Sequence, residues 1–121
     1  MDERIEGMLP LKPVDFLVLL VLERGQRHGY GIVQDVEAET EGAVRLVPGN
    51  LYAVLHRLME AGLLEEAPRK RGEDERRRNY RLTGLGRRTL SAEAERMREL
   101  VRLAESRRIL KPAAGGRTGR G

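Results

Sequence analysis

The sequence contains no cysteine, no tryptophan, one phenylalanine, three tyrosines and two widely separated histidines. Each shortage closes a class of function. Without thiols there can be neither disulfides nor thiolate metal sites, which gives weak support for a cytoplasmic setting. Two distant histidines do not make a metal cluster. Aromatic residues at 3% are too few for a platform that stacks the bases of a single strand. The longest apolar run, Phe16 to Leu22, is far too short to span a membrane, and no basic signal region leads it. A nucleophile–base pair, a carboxylate pair, a phosphate loop and a metal-ligand spacing are all missing. The only serines, Ser91 and Ser106, fall in a long helical stretch with no base to activate them. These absences point to a protein that is not an enzyme, needs no cofactor or metal and does not enter a membrane.

What is present is positive charge. A net charge of +4 and a sequence pI near 9.9 favour a polyanionic partner. At 121 residues the chain is most simply one domain, with enough apolar sequence for a core but small enough for dimerisation to help it. Its most organised stretch is Pro48 to Glu66. Leu51, Val54, Leu55 and Leu58 fall on one helical face at the spacing of a core stripe. The other face carries Gly49, Asn50, Ala53, His56, Arg57 and Glu60, flanked by Tyr52. Pro48 suits the first helical position and Gly62 the stop. A short helix with a small, polar outer face, followed by an arginine-rich hairpin, suits reading a groove.

The remaining segments are read around that helix. Residues 1–12 form an arm without clear periodicity, expected to be poorly ordered, with Met8, Leu9 and Leu11 available to dock. Pro13 opens a helix that is apolar nearly all round and therefore central, ending at Gly25. Gly29 to Thr40 is a second helix with Ile32, Val33 and Val36 inward. Gly29 and Gly31 each cost about 1 kcal/mol against alanine in a helix interior, a cost explained by close approach of two helices or by a tight turn. Ala43 to Val47 reads as a short strand. Glu65 to Arg71 and Arg76 to Leu82 read as two strands around a polar turn, Gly72 to Glu75. Thr83 is an N-cap for a helix running to about Leu110. Leu90, Ala94, Met97, Val101 and Ala104 repeat along it in steps of four and three, and Leu100 and Leu103 widen the seam. Such a rod of roughly 27 residues would be near 40 Å long, more than a small core can cover. Its surplus apolar stripe calls for a partner. Residues 111–121 are a Gly/Arg-rich tail expected to be disordered.

The order helix, helix, strand, helix, two strands, long helix describes a mainly α fold. It is a winged helix-turn-helix over residues 13–83, with three helices and a β-hairpin wing, followed by a C-terminal dimerisation helix over 84–110. Four local steps sharpen this topology: His28-Gly29-Tyr30 at the start of the second helix, Pro48-Gly49-Asn50-Leu51-Tyr52 opening the third, Gly62-Leu63 closing it, and Tyr80, Leu82, Thr83 and Gly86 after the wing. In order and spacing they resemble the PadR family of bacterial transcriptional repressors, over about Val14 to Arg88.

The resemblance implies double-stranded DNA as partner, with self-association into a homodimer, a pseudo-palindromic operator and release by a small-molecule effector. Asn50 and Tyr52, beside Gly49 and Ala53, then meet phosphates and base edges at the helix start; the plainer reading is that Asn50 caps open N–H groups and Tyr52 packs its ring. His56 and Arg57 face outward one turn on, where Arg57 either holds a guanine bidentately or is simply solvated. Lys70, Arg71, Arg76, Arg77 and Arg78, with Arg69, flank the wing tip and are read as embracing the minor groove, against the alternative of a salt-bridged exposed hairpin. His28 is expected to be packed and hydrogen-bonded, and Tyr30 to be core. Leu90, Ala94, Met97, Leu100, Val101 and Ala104 are the expected dimer seam. Arg117 and Arg120 add nonspecific DNA affinity or are inert. The rival reading is a winged-helix module that binds a protein partner without specific DNA binding.

Overall fold

A computed structural model describes residues 2–68 and 78–113. Pro13–Leu22 (α2) is the hub. Pro13 starts it after Lys12, and Val18, Leu19, Val21 and Leu22 are buried. It packs against every other long helix, as an apolar run on a 3.6-residue period must if it is to leave water on all sides. Gly29–Glu39 (α3) and Pro48–Glu60 (α4) cover it with Ile32 and Val36 and with Leu51, Val54, Leu55 and Leu58. The buried residues of α4 are the stripe read from its spacing. Gly62 follows at φ +80, a conformation that favours glycine.

The sheet is three-stranded and antiparallel, in the order β1-β3-β2. Leu64–Ala67 (β2) and Asn79–Leu82 (β3) pair with Leu64 opposite Leu82 and Ala67 opposite Asn79. The other edge of β3 takes Arg27–His28 (β1), with Arg27 opposite Tyr80. β1 therefore comes between α2 and α3 in the chain, outside the hairpin. The segment expected to be a strand, 43–47, is a loop. Leu46 is buried there, and Thr40 Oγ1 bridges the turn by accepting from the Val44 N–H at 3.1 Å and donating to the Val36 carbonyl at 2.9 Å. The far ends of the two expected wing strands, within 69–77, lie outside the described residues.

The start of α3 explains one of its two glycines. His28 is the N-cap, with Nδ1 accepting from the Gly31 N–H at 3.2 Å. A Cβ on Gly29 would stand 3.1 Å from Leu51 Cδ2, so α3 and α4 approach closely at this point. At Gly31 a Cβ would meet only ordinary contacts, and close approach does not account for it. Tyr30 is 67% exposed, which corrects its expected place in the core. Ile32 and Val36 already fill the buried side of α3.

Gly84–Ser106 (α5) starts as read, with Thr83 Oγ1 accepting from the Gly86 N–H at 2.9 Å. It ends four residues earlier than expected, with Arg108 at φ 61 turning the chain after the last turn. The N-terminal arm is also more structured than its sequence suggests. Glu3–Glu6 (α1) is capped by Asp2 and buries Ile5, and Met8, Leu9 and Leu11 pack on the core. Glu93 of α5 holds the arm: its Oε2 accepts the Leu11 N–H at 3.0 Å, while Arg96 donates to both carboxylate oxygens at 2.6 and 2.9 Å. The side chain of Glu93 is 2% exposed. Hydrogen bonding to Arg96 holds its carboxyl below the ordinary carboxylate value, against the opposing effect of burial, and the Leu11 N–H adds to the lowering.

Candidate nucleic-acid interface

The outward face of α4 is assembled from what its core stripe leaves over. Gly49, Asn50, Ala53 and His56 are exposed, and Tyr52 is 60% exposed. Val47 precedes Pro48 without a side-chain cap, and Pro48 has no N–H to satisfy. The Leu51 N–H makes the first helical bond, to the Val47 carbonyl at 2.9 Å. The helix thus presents its positive end beside its smallest side chains, an arrangement suited to an anion. Among the described residues, no side chain caps this end at Val47. A Cβ on Gly49 would meet nothing within 4 Å. The Tyr52 hydroxyl lies close to the start of α3, 3.9 Å from where a Gly29 Cβ would stand.

Beside this face runs an open groove of about 500 Å³. Lys12 enters it from the start of α2, Arg45 from the α3–α4 loop, and Asn50, Ala53 and Arg57 from α4. Three cations line this one groove. They are not equivalent. Lys12 is exposed, and Arg45, 72% exposed, is only loosely paired with Glu37 at 4.0 Å. Arg57 is tied down: its Nη2 donates to Asp15 Oδ1 at 2.5 Å, with side-chain exposures of 43% and 9%.

On the hairpin, Arg78 pairs with Glu66 at 3.3 Å and Arg81 with Glu65 at 2.8 Å, all four side chains substantially exposed. Exposed pairs of this kind contribute little to stability and release their arginines at little cost. Lys70, Arg71, Arg76 and Arg77 lie outside the described residues, as do Arg69, Arg117 and Arg120. Tyr80 is buried in the core. Burial raises its phenol above the ordinary value, while the charge of Arg78 opposes that rise. Asn79 is buried as well, so the middle strand is covered on both faces at its start, whereas Arg81 further along is exposed.

Along α5, Leu100, Val101 and Leu103 are exposed and Met97 and Ala104 are partly covered. Ala94 is exposed too. Leu90 is different: at 7% exposure it belongs to the chain's own core, which removes it from the expected seam. Among the described residues there is no cluster that could hold a metal ion and no helix long and apolar enough to cross a membrane.

The model of the transcriptional regulator PadR-like family matches residues 18–92, from the buried part of α2 to the first half of α5. The chain belongs to that family. An uncharacterised protein of Lysinibacillus sphaericus is 30% identical over 78 residues, covering 64% of this chain and 72% of that one. Among solved structures, a transcriptional regulator from Clostridium thermocellum superposes with a TM-score of 0.66 at 24% identity, over 88% of this chain and 95% of that one. A PadR-like transcription factor from Bacteroides fragilis gives 0.64 at 26% identity, over 84% and 90%. Bacillus subtilis PadR in complex with operator DNA gives 0.59 at 21% identity, over 67% and 47%.

In this PadR-family chain the fold brings together Gly49, Asn50, Tyr52, Ala53, His56 and Arg57 on one face, as the helical spacing implies. The family is one of transcriptional regulators rather than enzymes. Sequence reasoning missed Lys12 and Arg45, which reach the groove from two other elements, and Asp15, which holds Arg57. A signal for Asp15 was available, since it is the only charged residue in an otherwise apolar helix.

Proposed function

We propose that this PadR-family chain is a homodimeric repressor that binds a pseudo-palindromic operator in double-stranded DNA. The α4 helices of the two protomers enter successive major grooves about 34 Å apart, and the wings lie on the flanking minor grooves. Gly49, Asn50, Tyr52, Ala53, His56 and Arg57 meet base edges and nearby phosphates. Arg78 contributes from the wing, with Lys70, Arg71, Arg76 and Arg77. The α5 helices pair through Ala94, Met97, Leu100, Val101 and Ala104. A small-molecule effector that altered the spacing of the two α4 helices would act as the switch.

The observation that carries this reading is the pairing of a small, polar, uncapped helix face with a groove containing three cations. That combination fits a surface that must admit backbone close to a polyanion and fix its register there. The operator complex of the Bacillus subtilis relative supports it. The test is fluorescence anisotropy with a duplex enriched from a random pool by the purified chain, against a scrambled duplex of equal composition. Chain mass is measured in parallel by light scattering. A dimer that prefers the enriched duplex, with affinity falling steeply in salt, is the expected result. A monomer with no preference even at low salt would refute the proposal. Stoichiometric capture of a protein without any DNA shift would favour the interaction-module reading.

A further inference from the structure

Asp15 and Arg57 form an asymmetric pair. The carboxylate is fixed by its burial in α2, whereas the guanidinium stands on the groove side of α4 and is 43% exposed. When one partner is locked by packing and the other could swing, the locked one decides where the other points. Asp15 engages only one of the five N–H donors of Arg57, through Nη2. Among the described residues no other acceptor takes the remaining four.

The pair contributes differently from its neighbours in the groove. The charge of Arg57 is partly cancelled by the carboxylate, so it adds less long-range attraction than Lys12 or Arg45. It offers instead a planar fork already held in place, for which less rotamer freedom is lost on binding. A fixed fork discriminates between bases, whereas a loose charge attracts any polyanion. Asn50 and Ala53 stand beside it on the same wall of the groove.

We propose that Asp15 is a positioning residue for DNA recognition: from the buried side of α2 it fixes the guanidinium of Arg57 so that Arg57 selects sequence rather than merely adding affinity. This rests on the DNA-binding reading above. Division of the groove follows, with Lys12 and Arg45 supplying attraction and the Asp15–Arg57 pair supplying choice.

The test measures the ratio of affinities for the enriched and scrambled duplexes in wild type, Asp15→Asn, Arg57→Gln and the double variant. Asp15→Asn should lower the ratio roughly tenfold, the scale of one good side-chain contact to a base. Its affinity for the scrambled duplex should stay level or rise, because a negative charge has been removed. Arg57→Gln should lower the ratio similarly, and the double variant should fall no further. A purely structural role for Asp15 would reduce binding to both duplexes together. The inference is overturned if Asp15→Asn leaves the ratio within twofold, if it tightens the enriched duplex selectively, or if the two losses multiply. Should Asp15→Asn not fold, Arg57→Lys decides. It keeps the charge at an exposed position but lacks the fork, so a preserved ratio refutes the proposal and a reduced one supports it. A wild-type ratio of one would instead refute DNA recognition itself.

Discussion

Replacing Gly86 by alanine should destabilise the fold by about 3 kcal/mol, although helix propensity alone predicts a gain of about 1 kcal/mol in a helix interior. A Cβ at this position would stand 2.1 Å from the Leu63 carbonyl oxygen, 3.0 Å from its carbon and 3.2 Å from Leu82 Cδ2. A carbon rests against a carbonyl oxygen at roughly 3.3 Å, so backbone must move by about 1 Å. The carbonyl cannot simply retreat. It accepts the Thr83 N–H at 3.1 Å, while Thr83 Oγ1 donates to the Gly62 carbonyl at 2.6 Å and accepts the Gly86 N–H at 2.9 Å. Overpacking a tight site costs about 1–3 kcal/mol, and loosening a bond and a cap adds about 1 kcal/mol each. The propensity gain offsets only part of that. Urea unfolding at fixed chain concentration measures the loss, and the thermal midpoint should drop by roughly 10–20 °C. Gly49→Ala is the control, with open space around it and a gain of up to about 1 kcal/mol. If Gly86→Ala matches wild type, the junction of β2 and α5 is not as tightly packed as this reasoning requires.

Glu93→Gln should free the N-terminal arm, seen as faster exchange of the Leu11 amide, and cost about 1–3 kcal/mol. Because the folded carboxyl lies below its ordinary value of 4.5, the stabilisation is complete above that value and disappears as pH falls through the lower folded one. The urea midpoints of wild type and Glu93→Gln should therefore converge in acid, and a constant gap would contradict the linkage. Paired substitution Leu100→Glu with Val101→Glu places charge on the exposed stripe of α5 and should give folded monomers in sedimentation velocity; persistence of a dimer would move the interface elsewhere. Arg45→Ala removes an exposed, loosely paired cation and should leave stability unchanged. It should lower affinity for all duplexes and make the log–log salt dependence shallower by about 0.9 per protomer, and an unchanged slope would remove Arg45 from the phosphate track.

The helices were legible because each buries one face on a 3.6-residue period and is punctuated by residues with a backbone reason to be there. Pro48, Gly62 and Thr83 sit where such residues should, and α4 buries the four residues its spacing selects. β1 was not legible, since two polar residues carry no period. The segment 43–47 misled for a related reason. Val44 and Leu46 do alternate inward, but Thr40 Oγ1 takes the Val44 N–H in a turn and Leu46 fills the core from a loop, so the burial period is met without strand pairing. Leu90 keeps the seam spacing of α5 yet lies in the first turns, where the rest of the domain covers the helix. Periodicity reports which face is apolar and is silent on what covers it.

The same limit applies with more force to the site. The outward face of α4 could be read by exclusion, since a residue outside the core stripe must point elsewhere. The restraint on that face could not, because Asp15 lies 42 residues from Arg57, just as Glu93 lies 82 residues from Leu11. Sequence shows that a lone acid in an apolar helix needs a partner, because an unpaired buried charge is costly. It does not show which of many arginines supplies it. From α4 alone, Arg57 is one more solvated cation. With α2 in place it becomes the groove cation with a defined direction, and Lys12 and Arg45 keep the freedom to follow a backbone. If Asp15 positions Arg57 as proposed, the surface that reads DNA extends into a helix whose contribution lies on its buried side, and substitutions there should change which DNA is bound before they change whether DNA is bound.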